Sequence, residues 1–218
     1  MSAEPIAFGD DVPLNPVAPG TNLLVSGPES AGLQSLVHRL IAPRGDDEGL
    51  VSIATDSGDE FLREQRRHGG AYDDETTGVV GCESSRGSKE LVRSVDGATD
   101  LSTISMEFSA LADDVGYRTD RLRSGLYAVS PLCASASDMR DVYRFLNNIV
   151  SRNRRADGVF VCGIDPDADV GEFGSGNNIT KGISMVFQGH VELRDGPTGP
   201  EVRVTGLDDQ PDGWQSLD

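Results

Sequence analysis

The sequence predicts an α/β fold: a mostly parallel β-sheet, covered by helices on both faces, with an antiparallel hairpin at its end. Three observations predict it. Short apolar runs of strand length alternate with segments of helical period, several runs are apolar without interruption, and two carboxyl-terminal strands flank a Gly-Pro-rich turn. Uninterrupted apolar strands are typical of parallel sheets, whose two faces are both buried. The 218 residues, 37% of them hydrophobic, are enough for one sizeable core.

In the first half of the chain the order is strand, glycine loop, helix, and then two more strands. The first apolar run ends at Gly27-Pro28, and leucines and a valine at helical spacing follow until Pro43. Ser57, with a glutamate three residues later, resembles a capping box and begins a second helix. The predicted elements of this half are strand 21–26, helix 33–40, strand 49–54, helix 57–67 and strand 77–82, followed by an ambiguous polar stretch at 83–103.

The second half contains the clearest helix of the sequence, which has Asp138 in its first turn and arginines at its end. Gly158 and Asp165 bound a strand that is apolar throughout, and a Gly- and Asp-rich loop follows it, in which residues 171–176 are predicted to be flexible. A turn at 196–200 separates the hairpin strands. The predicted elements are helix 106–122, strand 126–132, helix 139–150, strand 159–164, helix 179–187, and strands 190–194 and 201–205.

Charge and composition limit the functions that the protein can have. Nineteen Lys plus Arg against 36 Asp plus Glu give 19 − 36 = −17, with the carboxylates spread along the whole chain, so nucleic acid is not the expected partner unless a local basic patch is present. The abundance of Asp and the scarcity of Lys indicate adaptation to high salt, as in a halophile. Without an 18-residue apolar run or a signal peptide, no membrane contact and a cytoplasmic location are expected. We expect one domain at 19–207, a loosely ordered leader at 1–18 and a tail at 208–218.

No metal site is predicted. The three cysteines lie singly in apolar segments without CxxC spacing, which favours buried thiols. The three histidines are far apart in sequence and receive no role, and His38, on the first helix, is expected at an interface or on the surface. Two groups of arginines are interpreted as solvated helix faces, with a subunit contact as the alternative. The residues concerned are Cys82, Cys133, Cys162, His38, His68, His190, Arg63, Arg66, Arg67, Arg118, Arg121 and Arg123.

The glycine loop is the strongest functional signal. Residues 27–32 read GPESAG between a strand and a helix, where a phosphate loop belongs. The pattern GxxxxGK[ST] needs a lysine for the terminal phosphates and a hydroxyl for magnesium, but Leu33 and Gln34 follow here. The backbone amides alone could still form an anion nest. The predicted vestigial nucleotide site includes Gly27, Ser30, Gly32, Gln34 and Asp56.

These residues resemble the RecA and KaiC superfamily of P-loop NTPases, and in particular the small KaiC-like proteins of halophilic archaea. GPESAG is similar to family loops that read GPESSGKT, and residues 143–167 and 202–214 look like the haloarchaeal group. The resemblance covers about residues 19–215, more by the order of elements than by identity. It implies a RecA-like mostly parallel sheet sandwiched by helices, with a carboxyl-terminal antiparallel hairpin.

The resemblance also implies further catalytic positions, and this sequence departs from them. Where the family ends the second strand with paired glutamates, Thr55-Asp56 stands, and Asp56 is better explained as a helix-capping or surface residue. Ser130 takes the place of the magnesium-anchoring Walker B aspartate. Asp165 ends the next strand along and is interpreted as a loop residue. The Walker A and Walker B motifs are thus both degenerate.

The sequence therefore predicts a pseudo-ATPase: a non-catalytic regulatory or scaffold protein that binds a protein partner or self-associates. No catalytic residue and no cofactor are expected. The first alternative is a nucleotide sensor or very slow ATPase that holds ATP and magnesium with the loop of residues 27–32. The second is a DNA-associated recombinase paralogue, which the charge of −17 opposes.

Overall fold

A computed structural model describes residues 4–70, 72–83, 90–170 and 176–217. The strands are β1 (Asn22–Ser26), β2 (Glu48–Ser57), β3 (Thr77–Glu83), β4 (Val92–Ser94), β5 (Arg121–Tyr127), β6 (Val159–Ile164), β7 (Gly189–Gly196), β8 (Gly199–Thr205) and β9 (Gln215–Ser216). The α-helices are α1 (Leu33–Ile41), α2 (Gly58–Glu64), α3 (Leu101–Gly116), α4 (Val129–Ser135), α5 (Met139–Arg155) and α6 (Gly176–Ser184). Among these helices, none is long and apolar enough to cross a membrane.

In the described part of the chain, nine strands form one sheet in the order β4-β3-β2-β5-β6-β1-β7-β8-β9. Pairing is parallel from β4 to β7 and antiparallel between β7, β8 and β9. β1 lies inside the sheet, where Leu24 is in register with Cys162 of β6 and with His190 of β7. The predicted α/β class, the parallel sheet and the terminal hairpin are confirmed.

Hydrophobic side chains cover both faces of the sheet, as the uninterrupted apolar strands predict. Leu24 faces the side on which α3, α4 and α5 pack, where Phe108 and Leu146 belong to its cluster. Leu23 and Val25, its neighbours in β1, face the other side together with α1 and α2. Successive side chains of a strand point to opposite faces, so one short strand contributes to both halves of the core.

Two predicted elements have wrong boundaries in the middle of the chain. The helix predicted for 106–122 is α3, which ends at Gly116, and the strand predicted for 126–132 is β5, which begins at Arg121 and ends at Tyr127. The remaining residues of that apolar run form α4, whose first turn accommodates Pro131 because the first amides of a helix need no partner inside the helix. The prediction placed the start of this strand too late because it treated Arg123 as a surface residue. Arg123 is buried against a carboxylate and belongs to the core.

The leader packs against the sheet, whereas loose order was expected. Ile6 and Val17 exchange two backbone hydrogen bonds, of 2.8 and 3.0 Å, and both side chains are buried. Apolar residues between them close the α1 face of the core. The tail is ordered as well: Gln215–Ser216 adds β9 to the hairpin, and the ring of Trp214 lies 3.9 Å from the guanidinium carbon of Arg194.

Other predictions differ by smaller amounts. Ser57 caps α2 by accepting a hydrogen bond from the amide of Glu60 at 3.2 Å, as the capping box predicts, but the α-helix ends at Glu64 and one π-turn follows it. The last predicted helix, 179–187, begins and ends three residues earlier as α6. A short strand, β4, lies in the polar stretch at 83–103. The predicted flexible loop at 171–176 lies outside the described residues except for its last glycine.

Buried thiols are confirmed, and one histidine differs from the expectation. Cys82, Cys133 and Cys162 are all buried and free. His38, expected at an interface or on the surface, is also buried, and its Nδ1 forms a 2.7 Å hydrogen bond with Oε1 of Gln65. Burial lowers the pKa of His38 to about 4, so this imidazole is neutral near pH 7. The ring packs between α1 and its neighbours, with its centroid 4.8 Å from that of Phe61 and 6.2 Å from that of Tyr127.

Candidate functional site

The predicted glycine loop connects the carboxyl end of β1 to the start of α1, and two of its glycines are required by its geometry. A Cβ on Gly27 would lie 2.6 Å from the backbone oxygen of Leu193 on β7, so only glycine fits there. Gly32 has φ +91°, a left-handed conformation that glycine adopts without strain, and α1 begins directly after it. The loop thus lies at the carboxyl edge of a parallel sheet, the position at which a phosphate loop would lie.

Leu33 stands where the phosphate-binding lysine of such a loop would stand, and its side chain is fully buried. It belongs to the hydrophobic cluster on the α1 face, together with Leu36 and Val37 of the same helix. The side chain therefore packs into the core and presents nothing to the loop. An apolar residue here has no donor for a phosphate oxygen.

The carboxylate of Glu29, inside the loop, receives hydrogen bonds from two directions. The backbone amide of Gln34, in the first turn of α1, donates to Oε1 at 3.4 Å. The hydroxyl of Tyr127, at the end of β5, donates to Oε2. A helix amino terminus favours a negative charge, and here a side chain of the loop itself supplies that charge.

Tyr127, and not Ser130, is the residue of this strand that faces the loop, which corrects the sequence-based alignment. β5 ends at Tyr127, whereas Ser130 lies inside α4, where its hydroxyl accepts a 3.3 Å hydrogen bond from the amide of Asp165. Burial, and then the hydrogen bond to Glu29, raises the pKa of Tyr127 far above its usual value. The phenol stays protonated and acts as a donor. Sequence reasoning missed it because the strand boundary was misplaced.

Two further hydroxyls tie the loop to β7. Ser30 donates from Oγ to Oδ2 of Asp195 at 3.1 Å. Ser26, the last residue of β1, forms a 2.6 Å hydrogen bond with Nε2 of His190. Burial lowers the pKa of His190, so the ring carries little positive charge near neutral pH. These contacts hold the loop in place without adding a cation.

The structure brings the predicted site residues to one edge of the sheet. Gly27, Ser30, Gly32 and Gln34 share the loop, while Asp56 is exposed near the end of β2. The charges of Asp56 and of Asp165, which directly follows β6, both act on the phenol of Tyr127. Asp56 caps no helix, because Ser57 performs that role.

Electrostatically, this edge is acidic. Glu29, Asp56, Asp165 and Asp195 all lie at the carboxyl ends of strands β1, β2, β6 and β7 or in the loop that follows them. Like charges at short range oppose the approach of a polyphosphate. Within the described residues no three His, Cys, Asp or Glu side chains are grouped as a metal site would need.

Comparisons with known proteins place this geometry in a fold family. The chain aligns over 99% of its length with the crystal structure of a KaiC-like protein from the hyperthermophilic archaeon Pyrococcus horikoshii OT3, covering 92% of that chain at a TM-score of 0.64 and 10% sequence identity. At that identity the likeness shows the fold alone, which is RecA/KaiC-like. A search of curated proteins finds no significant match. Residues 20–193 match the model of a family of unknown function, DUF7504, and the chain therefore belongs to that family.

Proposed function

We propose that this protein is a non-catalytic regulatory or scaffold protein, a pseudo-ATPase in which a RecA/KaiC-like nucleotide site has lost its function. The Glu29 carboxylate carries the proposal, because it accepts from the amide of Gln34 and from the hydroxyl of Tyr127. It occupies the place at the start of α1 where a nucleotide phosphate would be held. A bound phosphate would have to displace it against its own negative charge.

The side chains at the other catalytic positions support the same conclusion. Phosphoryl transfer depends almost entirely on positioning and on electrostatic stabilisation of the transferred group. At the lysine position Leu33 is buried and apolar, and next to it Gln34 has no hydroxyl for magnesium. Tyr127, at the end of β5, is a neutral donor where a carboxylate would be needed to anchor the metal. None of these three side chains supplies the positive charge that hydrolysis requires.

A scaffold acts through its surfaces, so the proposal includes a protein partner or a second copy of the chain. The net charge of −17 disfavours nucleic acid as that partner. The carboxylates are spread over the whole chain, and this supports solubility at high salt as the reason for the negative charge.

A nucleotide sensor is the second candidate, and one cavity favours it. A space of about 440 Å³ lies beside Gly27 and Pro28, between the loop, α6 and β7, and is lined in part by Lys181 and Trp214. Lys181 is one of two lysines in the chain and provides a cation near the loop. Binding there would rely on this ammonium and on backbone amides, without turnover.

Calorimetric titration with magnesium ATP and magnesium ADP in molar KCl tests the proposal. We expect no binding heat from the wild type at millimolar nucleotide, and none from Glu90→Ala, a control that removes an exposed glutamate before β4. Glu29→Ala frees the amide of Gln34 and should gain weak binding of ATP. Micromolar binding by the wild type without release of phosphate would favour the sensor instead, and micromolar binding with steady release would overturn both.

A further inference from the structure

A second cavity lies at the opposite end of the sheet from the glycine loop, between the carboxyl-terminal ends of α3 and α5. Its volume is about 310 Å³, at the lower end of the range typical of small-ligand pockets. The amino-terminal end of β5 forms its base. It shares no residue with the nucleotide site, so its function is separate from the proposed one.

Apolar side chains form part of the lining of this cavity. Phe108 and Ala112 of α3 and Leu122 of β5 line it, and all three are largely buried. Ser124 and Asn153, also buried, and Thr119 add polar groups to the lining. Such a lining favours a flat aromatic ring, because burial of the ring provides the binding free energy while the polar groups fix its orientation.

The positive charges at the mouth are already paired. Arg152 donates to Oδ1 of Asp113 at 2.5 Å. Nη1 of Arg121 lies 3.7 Å from Oε1 of the buried Glu48. Both arginines of the lining are therefore already near a carboxylate, which disfavours a negatively charged ligand.

Negative charge at the mouth, in contrast, is incompletely paired. Asp120 lines the cavity and is exposed, and its carboxylate forms no ion pair with any described residue. The carboxyl-terminal ends of α3 and α5 both point here and add the partial negative charge of helix ends. The site favours a ligand that carries a positive charge beside an apolar ring.

We propose that this cavity binds a small arylalkylamine, with its ring against Phe108 and Ala112 and its ammonium beside Asp120. Tyr117 stands at the mouth with 91% of its surface exposed, an unusual position for a large aromatic side chain, and a bound ring would cover it. An ammonium can also lie against the face of that tyrosine ring, which is a favourable cation–π arrangement.

Titration with tryptamine, followed by two-dimensional amide NMR, tests this site. We expect saturable shifts confined to residues 117–120, to the end of α3, to the start of β5 and to the end of α5. Indole-3-propionate, which has the same ring and the opposite charge, should bind more weakly. Asp120→Asn should weaken tryptamine about threefold, in line with a solvent-accessible ion pair, while Asp208→Asn, a change in the carboxyl-terminal segment, should leave the affinity unchanged.

Two variants fill the cavity by different routes. Ala112→Leu places a larger side chain on its floor, and Gly116→Leu places one at its mouth, where a Cβ meets open space. Either variant should abolish saturation while the remaining amide spectrum stays folded, and the second remains informative if the first does not fold. Absence of saturation by the wild type, shifts centred on the glycine loop, or equal affinity in wild type and both filled variants would overturn the proposal.

Discussion

Arg123 and Glu48 form an ion pair within the sheet, between neighbouring strands and 75 positions apart in sequence. Nε of Arg123 lies 2.6 Å from Oε2 of Glu48, and the arginine is only 1% exposed. The same guanidinium donates to the backbone oxygen of Ala7 at 2.6 Å and to that of Leu40 at 3.3 Å. A single side chain therefore connects β2, β5, the end of α1 and the leader.

Arg123→Met should be strongly destabilising. It leaves the carboxylate of Glu48 buried and removes the donor to two backbone oxygens, and breaking a buried pair in this way costs about 3–5 kcal/mol. Urea denaturation followed by circular dichroism measures the loss. Arg194→Met, which breaks an exposed pair with Glu201 at 2.7 Å, serves as the control and should cost less than about 1 kcal/mol. Equal effects of the two substitutions would contradict the central role of Arg123.

His38 should make stability depend on pH in the acidic range. In the unfolded chain a histidine takes up a proton near pH 6.5, whereas burial lowers the pKa of His38 to about 4 in the folded state. Protons therefore bind the unfolded state more readily between those values, and the free energy of unfolding falls as pH falls through that window, by about 3 kcal/mol in all. His190, whose pKa is also lowered by burial, acts in the same direction.

Urea titrations at pH 7.5 and pH 4.5 of the wild type and of His38→Asn measure this contribution. The asparagine retains a polar side chain near Gln65 but cannot take up a proton. The wild type should lose more stability over the interval than the variant does. Parallel pH profiles would show that His38 titrates normally and is not shielded by the fold.

The three thiols should be unreactive in the folded protein. Burial is the largest cause that raises the pKa of Cys82 to about 11 and that of Cys133 to about 12, and it raises the pKa of Cys162 well above 9. Only the thiolate attacks a disulfide reagent, so Ellman's reagent at pH 8 should react very slowly with native protein. In urea all three cysteines should react within minutes. Rapid reaction of even one thiol under native conditions would place that cysteine at an accessible surface.

Leu33→Lys should destabilise the fold, since the residue is fully buried in the cluster on the α1 face. A lysine there must either bury its ammonium or turn its stem toward the loop, and an unpaired buried charge is costly. We expect a loss of about 2–4 kcal/mol, measured by thermal and urea denaturation. Leu33→Met, which conserves volume, should cost less than about 1.5 kcal/mol. If the lysine variant proves as stable as the methionine variant, the side chain reaches the loop, and nucleotide titration of that variant becomes informative.

The fold could be predicted from sequence because its signals are local. The first strand, the glycine loop and α1 follow from an apolar run, from Gly27 and Gly32, and from leucines at helical spacing. These signals need no knowledge of distant residues. Alternation of such units then leads to a parallel sheet with helices on both faces.

What sequence reasoning missed depends on contacts between distant residues. Arg123 belongs to the core only because Glu48 lies beside it on the neighbouring strand, and without that pair an arginine indicates surface. Misplacing β5 hid Tyr127, whose hydroxyl reaches Glu29 98 positions away. The loop residues of the candidate site were therefore predictable, but the carboxylate and the phenol that fill it were not.

The position of β1 within the sheet has a consequence for synthesis on the ribosome. This strand is made first, yet both of its neighbours come late: Leu24 is in register with Cys162 of β6 and with His190 of β7. Until most of the chain has been translated, both hydrogen-bonding edges of β1 stay without their native strands. Pairings between such distant segments form slowly, and exposed edges invite aggregation. Folding of the nascent chain therefore waits for β1 to pair with β6 and β7. Binding of a chaperone to the first 150 residues would protect the exposed edges of β1 until then.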